Sequence, residues 1–488
     1  MPSLKKFDPD AIFTDPDLGY VYRSMRELAK EFAVLGQIET AKTLTSLLLS
    51  EYSSQWQLDQ FRPLKFAFAE AGQWPDEIPP EERTEKVLAK IVKDITPDVA
   101  NDSDAVEDDP SELGVLLATA KDCDASTGSE AMERSQALAS ALALAIRLTS
   151  KHTSSIEEVE ADPNVQKALG SIATRMHANQ AIEYLTQRRD NWALLATGAL
   201  ARKIPVDTDK IEALSKEAIE SFTERIKNGR KTHVTEKKSI RELLEALDRS
   251  TRTNSRRCYE EMCEEVPESL FVLPPATDEQ ISTLERKLDV ALPDDYKEFL
   301  KISNGFGRTW NGYHLDSPIF GVEELDWGEV YVDGLPVELH PSLTGVMDLE
   351  LPDGREWPSH EKPIDLGSYD VLQTVFITPS VTKKTLAAYK EVMESPKTPD
   401  DVKRHTRKLI VSKYGSWEAF EKLEWVAIEM DEGENEAFGT FTQFLQTRVR
   451  KAAMGEWEGE GEREAGSIAY SCMADRPEPD ESKRRKLE

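Results

Sequence analysis

The chain is poor in the residues that build disulfides, metal sites and membrane spans. It has four cysteines in 488 residues, and Cys258 and Cys263 lie five apart with no second pair or nearby histidine to complete a zinc site. Buried or incidental thiols in a reducing compartment are the expected state. The longest apolar run, residues 137–146, is too short to cross a bilayer, and the first residues lack a signal peptide's apolar core. We expect an intracellular, soluble protein without membrane insertion.

Positive charge is also in short supply. Sixty-one lysines and arginines stand against 91 aspartates and glutamates, which gives a formal net charge of −30. Such a surface repels phosphate backbones, so we expect no nucleic-acid partner. It is compatible with a basic protein partner, although much of the charge is ordinary solvated surface.

Recognisable catalytic motifs are missing as well. No Gly-rich phosphate loop precedes a helix, and no G-x-S-x-G sequence occurs. The seven histidines, among them His314, His340 and His360, have no ligand or triad partner at a recognisable spacing. We therefore predict no catalytic residues, no metal and no cofactor. An enzyme whose site assembles from distant residues is a third hypothesis, which an enclosed pocket with converging polar groups would favour.

Hydrophobic periodicity divides the chain into regions. A helical pattern over residues 17–228 indicates an all-α bundle or an irregular solenoid, and its acidic stretch at 98–112 is expected to be a loop. The remaining regions are an N-terminal arm (1–16), a charged helical connector (229–268), an α+β domain (269–454) and a disordered acidic tail ending in a basic run (455–488).

The most informative stretch lies at residues 292–305. Proline and two aspartates mark a helix start, three large apolar residues share one helical face, and Asn-Gly provides a stop. A capping box, Thr277 with Gln280, opens the helix before it. The residues that define this pattern are Leu292, Pro293, Tyr296, Phe299, Leu300, Asn304 and Gly305.

After residue 305 the periodicity changes to that of strands. Residues 330–332, 346–349, 364–366 and 371–377 read as strands separated by Gly, Pro and Asp. Residues 386–393, 417–423 and 438–449 read as helices, and a long charged helix is expected at 236–265. Two helices followed by an antiparallel meander make an α+β layout.

The run from Leu273 to Gly305 resembles the opening of the SUKH superfamily, with two short helices joined at Leu-Pro, a Tyr-x-x-Phe-Leu face and a terminal Asn-Gly. Within it, residues 269–454 are similar to the fungal regulators of cell wall assembly and β-1,3-glucan synthesis. The resemblance implies a SUKH-like domain with an antiparallel sheet that binds proteins, with cell-wall-integrity kinases or glucan-synthesis regulators as partners. The seven pattern residues transfer as framework, not as binding residues.

A second hypothesis comes from the bacterial members, which resemble immunity proteins that neutralise toxins. An acidic module of this kind would inhibit or bind one basic protein, and the binding would be sensitive to salt.

Four aromatic residues, Trp310, Tyr313, Phe320 and Trp327, follow the Asn-Gly stop. They have two interpretations. They fill the core where helices meet the sheet, or they are partly exposed anchors for a partner.

Two further segments contain candidate regulatory signals. Ser395 and Thr398 each precede a proline, and the segment is either simply a loop or a pair of phosphorylation sites, which would add negative charge beside Lys397. The run Lys483-Arg484-Arg485-Lys486 is a candidate nuclear import signal, or part of a charged tail. The expected location is the cytoplasm, and the basic run leaves a nuclear location open.

Overall fold

The computed structural model describes residues 7, 9–51, 58, 60–95, 109–122, 128–173, 179–204, 208–312, 314–328, 336–340, 349–431 and 434–453. Within these residues the chain forms two compact units. The helical unit takes the described residues of Leu4–Ile12 and Arg23–Asn228, and the C-terminal unit takes Phe13–Tyr22 and the described residues from Gly229 onward. Tyr313, the expected strand at 330–332, most of the one at 346–349 and the basic run lie outside the described residues.

The helical unit contains helices of 4 to 23 residues. The helices that carry its residues are α1 (Pro9–Thr14), α2 (Leu18–Val34), α3 (Ile38–Glu51), α4 (Arg62–Ala71), α5 (Glu85–Ile95), α6 (Pro110–Asp122), α7 (Gly128–Ser150), α8 (Ile156–Ala161), α9 (Pro163–Ala173), α10 (Asn179–Gln187), α11 (Trp192–Leu195) and α12 (Thr208–Asn228). Short 3-10 turns occur at Pro80–Arg83 and Arg189–Asn191.

Helix α7 carries the apolar run at 137–146 and packs against α6, α9 and α10. Its Leu142 is fully buried, as expected for a helix that is apolar on most of its surface. Gly36 ends α2 with a positive φ of 78°, and a side chain there would lie 2.6 Å from the backbone of Gly198. Glycine is therefore required at this turn.

The C-terminal unit contains one sheet, with helices before, between and after its strands in chain order. A 3-10 turn at Val234–Lys237 precedes the first of these helices. The elements are α13 (Ile240–Asn254), α14 (Arg256–Glu261), α15 (Asp278–Leu288), α16 (Asp294–Leu300), β1 (Asp326–Trp327), β2 (Ile364–Tyr369), β3 (Leu372–Ile377), α17 (Pro379–Glu394), α18 (Asp400–Tyr414), α19 (Trp417–Glu421), β4 (Val426–Asp431), β5 (Glu434–Phe438) and α20 (Phe441–Ala452).

The five strands form an antiparallel sheet in the order β1-β2-β3-β4-β5. One row crosses it through Ile364, Phe376, Ala427 and Phe438, which are paired in turn and at most 3% exposed. Helices α13, α16 and α20 contribute to the same core as this row. The expected multidomain fold, a helical part followed by an α+β part with an antiparallel sheet, is confirmed.

Several expected boundaries differ from the observed ones. The helix expected at 236–265 is two helices separated at Ser255, and the residues expected as a connector belong to the C-terminal core through Leu243, Leu244 and Leu247. Strands β4 and β5 and helix α18 were not predicted. A short apolar run such as that of β4 does not distinguish strand from helix by periodicity alone.

The end of the expected N-terminal arm (1–16) packs into the C-terminal unit. Phe13–Tyr22 is part of the C-terminal unit, with Leu18 and Val21 buried. Its partners come from residues more than 200 positions away, a kind of contact that local sequence patterns do not reveal.

Candidate protein-interaction surface

Helices α15 and α16 border a charged cleft of about 520 Å³ on the C-terminal unit. Helix α15 begins at the capping box, where the Gln280 N–H donates to Thr277 Oγ1 at 3.2 Å and the Thr277 N–H donates to Gln280 Oε1 at 2.8 Å. It ends at Asp289, which adopts a left-handed φ of 52°. These two ends set the length of one wall of the cleft.

Glu285 fastens the joint between the two helices. Its Oε1 accepts a 2.9 Å hydrogen bond from the backbone N–H of Leu292, the residue that precedes Pro293 at the start of α16. The same carboxylate lies 3.5 Å from the ammonium of Lys297. A carboxylate held by a backbone donor and a cation is a strong local restraint.

Charged side chains line most of the cleft, whose lining residues are Asp278, Ile281, Ser282, Glu285, Asp294, Lys297, Glu298 and Lys301. Lys301 pairs with Asp278 at 2.6 Å, and Lys297 pairs with Asp294 at 2.9 Å. The hydrogen bond from Lys297 lowers the pKa of Asp294 below its ordinary value. Because four carboxylates face two ammonium groups, the cleft keeps a net negative charge.

The opposite face of α16 packs into the core. The Tyr296 hydroxyl donates to the Phe320 carbonyl at 2.7 Å, and its ring contacts Phe376 and Phe441 with centroids 5.2 and 4.9 Å apart. Burial raises the pKa of Tyr296 well above its ordinary value. Leu292, Phe299 and Leu300 are buried beside it, and Pro293 caps α16.

Asn304 and Gly305 lie after α16 has ended. The Asn304 side chain accepts a 2.8 Å hydrogen bond from the Val322 N–H, and Gly305 has a φ of 105°. The pair therefore turns the chain and binds the next loop, which is a framework role.

The candidate aromatic anchors differ in exposure. Trp310 is 1% exposed, and its backbone N–H donates to Thr251 Oγ1 on α13 at 3.1 Å, so it fills the core and is not a surface anchor. Phe320 is partly buried against the core. Trp327 is 41% exposed on the edge strand β1, beside Asp326, whose carboxylate pairs with Lys287 of α15 at 2.9 Å. Of the three described members of the set, Trp327 is the most exposed.

A second charged cluster surrounds Arg448 on α20. Its guanidinium is 1% exposed and lies 2.9 Å from Glu429, and it donates to the Ser317 carbonyl at 2.8 Å. Burial opposes ionisation of Glu429, but Lys451 and Arg448 outweigh it and lower the pKa of that carboxyl. Burial and the Glu429 charge raise the pKa of Asp316. These groups neutralise one another, and their arrangement ties a loop to the sheet and α20.

The two candidate phosphorylation sites are not equivalent. Ser395 is 6% exposed, and its Oγ accepts a hydrogen bond from the Lys397 N–H at 3.1 Å. Thr398 is partly exposed in the turn before α18. Of the two candidate sites, Thr398 therefore has the more solvent-exposed side chain.

Among the described residues, no group of three or more His, Cys, Asp or Glu side chains could hold a metal ion. No helix in the described part of the chain is long and apolar enough to cross a membrane.

Comparison with known protein families identifies a match within the C-terminal unit. Residues 275–364, less than a fifth of the chain, match the sequence model of the SMI1 / KNR4 family (SUKH-1). No curated protein and no solved structure matches the chain. The matched segment begins two residues before the Thr277 cap and ends at the first residue of β2, so it includes both walls of the cleft. The match supports a SUKH-type domain here, and SUKH domains are protein-interaction domains.

The cleft itself was missed by sequence reasoning. Spacings of three residues between Asp294 and Lys297 and of four between Lys297 and Lys301 place these charges on one helical face. This spacing predicts a charged face on α16, but the cleft forms only because α15 packs beside that face.

Proposed function

We propose that this chain is a non-enzymatic protein-interaction protein whose C-terminal unit binds its partner at the α15–α16 cleft. The observation that carries the proposal is the position of the cleft inside the segment that matches the SUKH-1 family model. Its lining is charged and open, without a cluster of side chains suited to metal binding in the described residues.

The finer role follows from the sequence resemblance. The protein would regulate fungal cell wall assembly and glucan synthesis, acting as a scaffold with stress kinases. It would work in the cytoplasm, and the run from Lys483 to Lys486 would allow a nuclear pool. Cell-wall-integrity kinases and glucan-synthesis regulators are the partners that this role requires.

Affinity capture of the full chain, with and without wall stress, tests this role. The decisive variant is Glu298→Lys, because Glu298 is exposed and lines the cleft. Glu245→Lys is the matched control, since Glu245 is an exposed glutamate on α13, away from the cleft lining. Wall-stress kinases or glucan-synthase regulators recovered with the control but lost with Glu298→Lys would support the proposal. Equal recovery of these partners with both variants would show that the cleft is not the binding site.

The net negative cleft favours a second candidate, an immunity-like binder of one basic protein. Opposite charges across an interface raise the association rate and make it sensitive to salt. This candidate predicts one cationic partner with nanomolar affinity that is lost at high salt, whereas a scaffold should recover several weaker partners.

A further inference from the structure

Residues 272–275, which we call the ridge, are four consecutive apolar residues that are all exposed on the C-terminal unit. Val272 is 59% exposed and Leu273 is 46% exposed, and Pro274 and Pro275 follow them. A soluble domain rarely leaves such a run uncovered unless the run has a function, because apolar side chains in water forgo the stabilisation that burial gives. The ridge is therefore a candidate interaction surface.

Buried neighbours hold the ridge at both ends. Before it, Leu270 is 1% exposed, and Phe271 forms an antiparallel bridge with Phe306, on which its ring packs edge to face with centroids 5.2 Å apart. After it, the buried Ala276 donates its N–H to the carbonyl of Leu300 on α16 at 2.8 Å. The backbone of the ridge is thus fixed at each end, so a partner that binds it orders few additional residues.

The backing of the ridge continues into the sheet. Phe306 and Ile319 exchange two backbone hydrogen bonds of 2.8 Å each, and the Phe320 N–H donates to the carbonyl of Leu366 on β2 at 2.7 Å. The ridge is therefore the outer margin of a hydrogen-bonded layer that begins at β2, and it is not a free loop.

The flanks of the ridge are acidic. Residues 264–280 contain five carboxylates and no lysine, arginine or histidine. Glu264, Glu265 and Glu268 precede the ridge and are exposed, and the other two carboxylates follow it at the start of α15. This surface matches a partner segment whose apolar side chains are flanked by lysine or arginine. A second copy of the chain would bring the same carboxylates together at a two-fold interface, and their repulsion disfavours self-association.

We propose that the ridge is the docking surface for a basic segment of a partner protein. Apolar side chains of that segment cover Val272 and Leu273, while its lysine or arginine residues pair with the glutamates that precede the ridge. Apolar burial at the centre and charge pairing at the rim are separable contributions, because salt screens only the second. Binding at the ridge does not depend on the α15–α16 cleft or on the proposed function.

The test uses the full chain and a fluorescent synthetic peptide, Arg-Lys-Val-Leu-Val-Leu-Lys-Arg, with binding measured by fluorescence anisotropy. We expect the ridge variant Val272→Ser/Leu273→Ser to bind the peptide about tenfold more weakly than the wild type does. Val115→Ser is the matched control, since Val115 is 63% exposed on α6 of the helical unit, and it should bind like the wild type. Both variants should keep the wild-type thermal transition because the substituted positions are exposed.

Two further measurements separate apolar burial from charge. A peptide whose four apolar residues are replaced by serine should bind the wild type about tenfold more weakly than the original peptide does. The triple variant Glu264→Gln/Glu265→Gln/Glu268→Gln should bind the original peptide more weakly and with a smaller dependence on salt.

Equal affinity of the wild type and the ridge variant would overturn the proposal. Equally tight binding of the serine-substituted peptide would also overturn it, since charge alone would then hold the peptide. Loss of binding in Glu298→Lys but not in the ridge variant would place the peptide at the α15–α16 cleft, which refutes the ridge and leaves the proposed function intact. A wild-type dimer that the ridge variant dissociates, seen by sedimentation velocity, would identify a second copy as the occupant and refute a basic partner.

Discussion

The hydroxyl of Tyr296 donates a 2.7 Å hydrogen bond to the backbone carbonyl of Phe320 and thereby joins α16 to the segment that leads into the sheet. Tyr296 is fully buried, so this bond is shielded from water. The substitution Tyr296→Phe removes the donor and leaves a buried carbonyl without it. We expect a loss of about 1 to 3 kcal/mol in the free energy of unfolding, measured by urea denaturation. The control Tyr369→Phe, at a 44% exposed site, should change it by less than about 0.5 kcal/mol. Equal losses of unfolding free energy in the two variants would show that the Tyr296 hydrogen bond does not stabilise the fold.

Trp310 and Trp327 provide a second test, because one tryptophan is buried and the other is exposed. Trp310→Ala should cost about 3 to 5 kcal/mol of stability through the cavity it leaves. Trp327→Ala should leave the thermal transition within a few degrees of the wild type, and should weaken a partner that docks beside β1 about tenfold. Calorimetry and a pull-down titration of the two variants measure these effects. A stable Trp310→Ala variant would show that the residue is not part of the core.

Protonation of His340 should couple stability to pH. His340 is buried against the Tyr389 hydroxyl, and burial, with a contribution from Lys413, lowers its pKa from 6.5 to about 4. Between pH 6.5 and pH 4 the His340 imidazole is protonated in the unfolded chain but stays neutral in the folded chain. The free energy of unfolding therefore decreases as the pH falls through this range. The loss reaches about 3 kcal/mol at pH 4.

The variant His340→Gln keeps a polar side chain but does not titrate. Its free energy of unfolding should therefore fall less steeply than that of the wild type between pH 6.5 and pH 4. Urea denaturation at several pH values measures both slopes. Parallel curves would show that His340 does not carry the effect, whichever other groups titrate in this range.

The C-terminal unit should need residues that precede 269–454, the region with the sequence resemblance, in order to fold. Leu243, Leu244 and Leu247 of α13 are fully buried in its core. Burial of each contributes about 1.5 to 3 kcal/mol, so losing three removes an amount comparable to the total stability of a domain. A fragment of residues 269–454 should therefore lack a cooperative thermal transition. A cooperative transition in that fragment, by circular dichroism, would contradict the role of α13.

Phosphorylation should distinguish Thr398 from Ser395. A proline-directed kinase acting on the native chain should modify Thr398 first, because Ser395 is 6% exposed. Phosphopeptide mapping over time measures the order, and Thr398→Ala should abolish the early signal. Early modification of Ser395 in the native chain would show that this segment opens more readily than its burial indicates.

The sequence predicted several local features because their causes are local. The capping box at Thr277, the start of α16 after Pro293 and its buried face through Tyr296, Phe299 and Leu300 all depend on neighbours within four residues. Strands β2 and β3 were also recognisable from β-branched and apolar runs bounded by turns. The negative charge of the surface followed from composition alone.

Other features required the tertiary structure because their partners are far apart in the chain. Packing of α15 beside α16 turned a charged helix face into a cleft, and packing of α13 onto α20 turned an expected connector into core. Trp310 and Trp327 look alike in sequence, yet only their places in the fold separate the core residue from the exposed one. The segment Phe13–Tyr22 shows the same principle most plainly. Its sequence is ordinary, and its place in the C-terminal unit depends on hydrogen-bond donors, Ser412 and Arg450, that folding brings from more than 200 positions away.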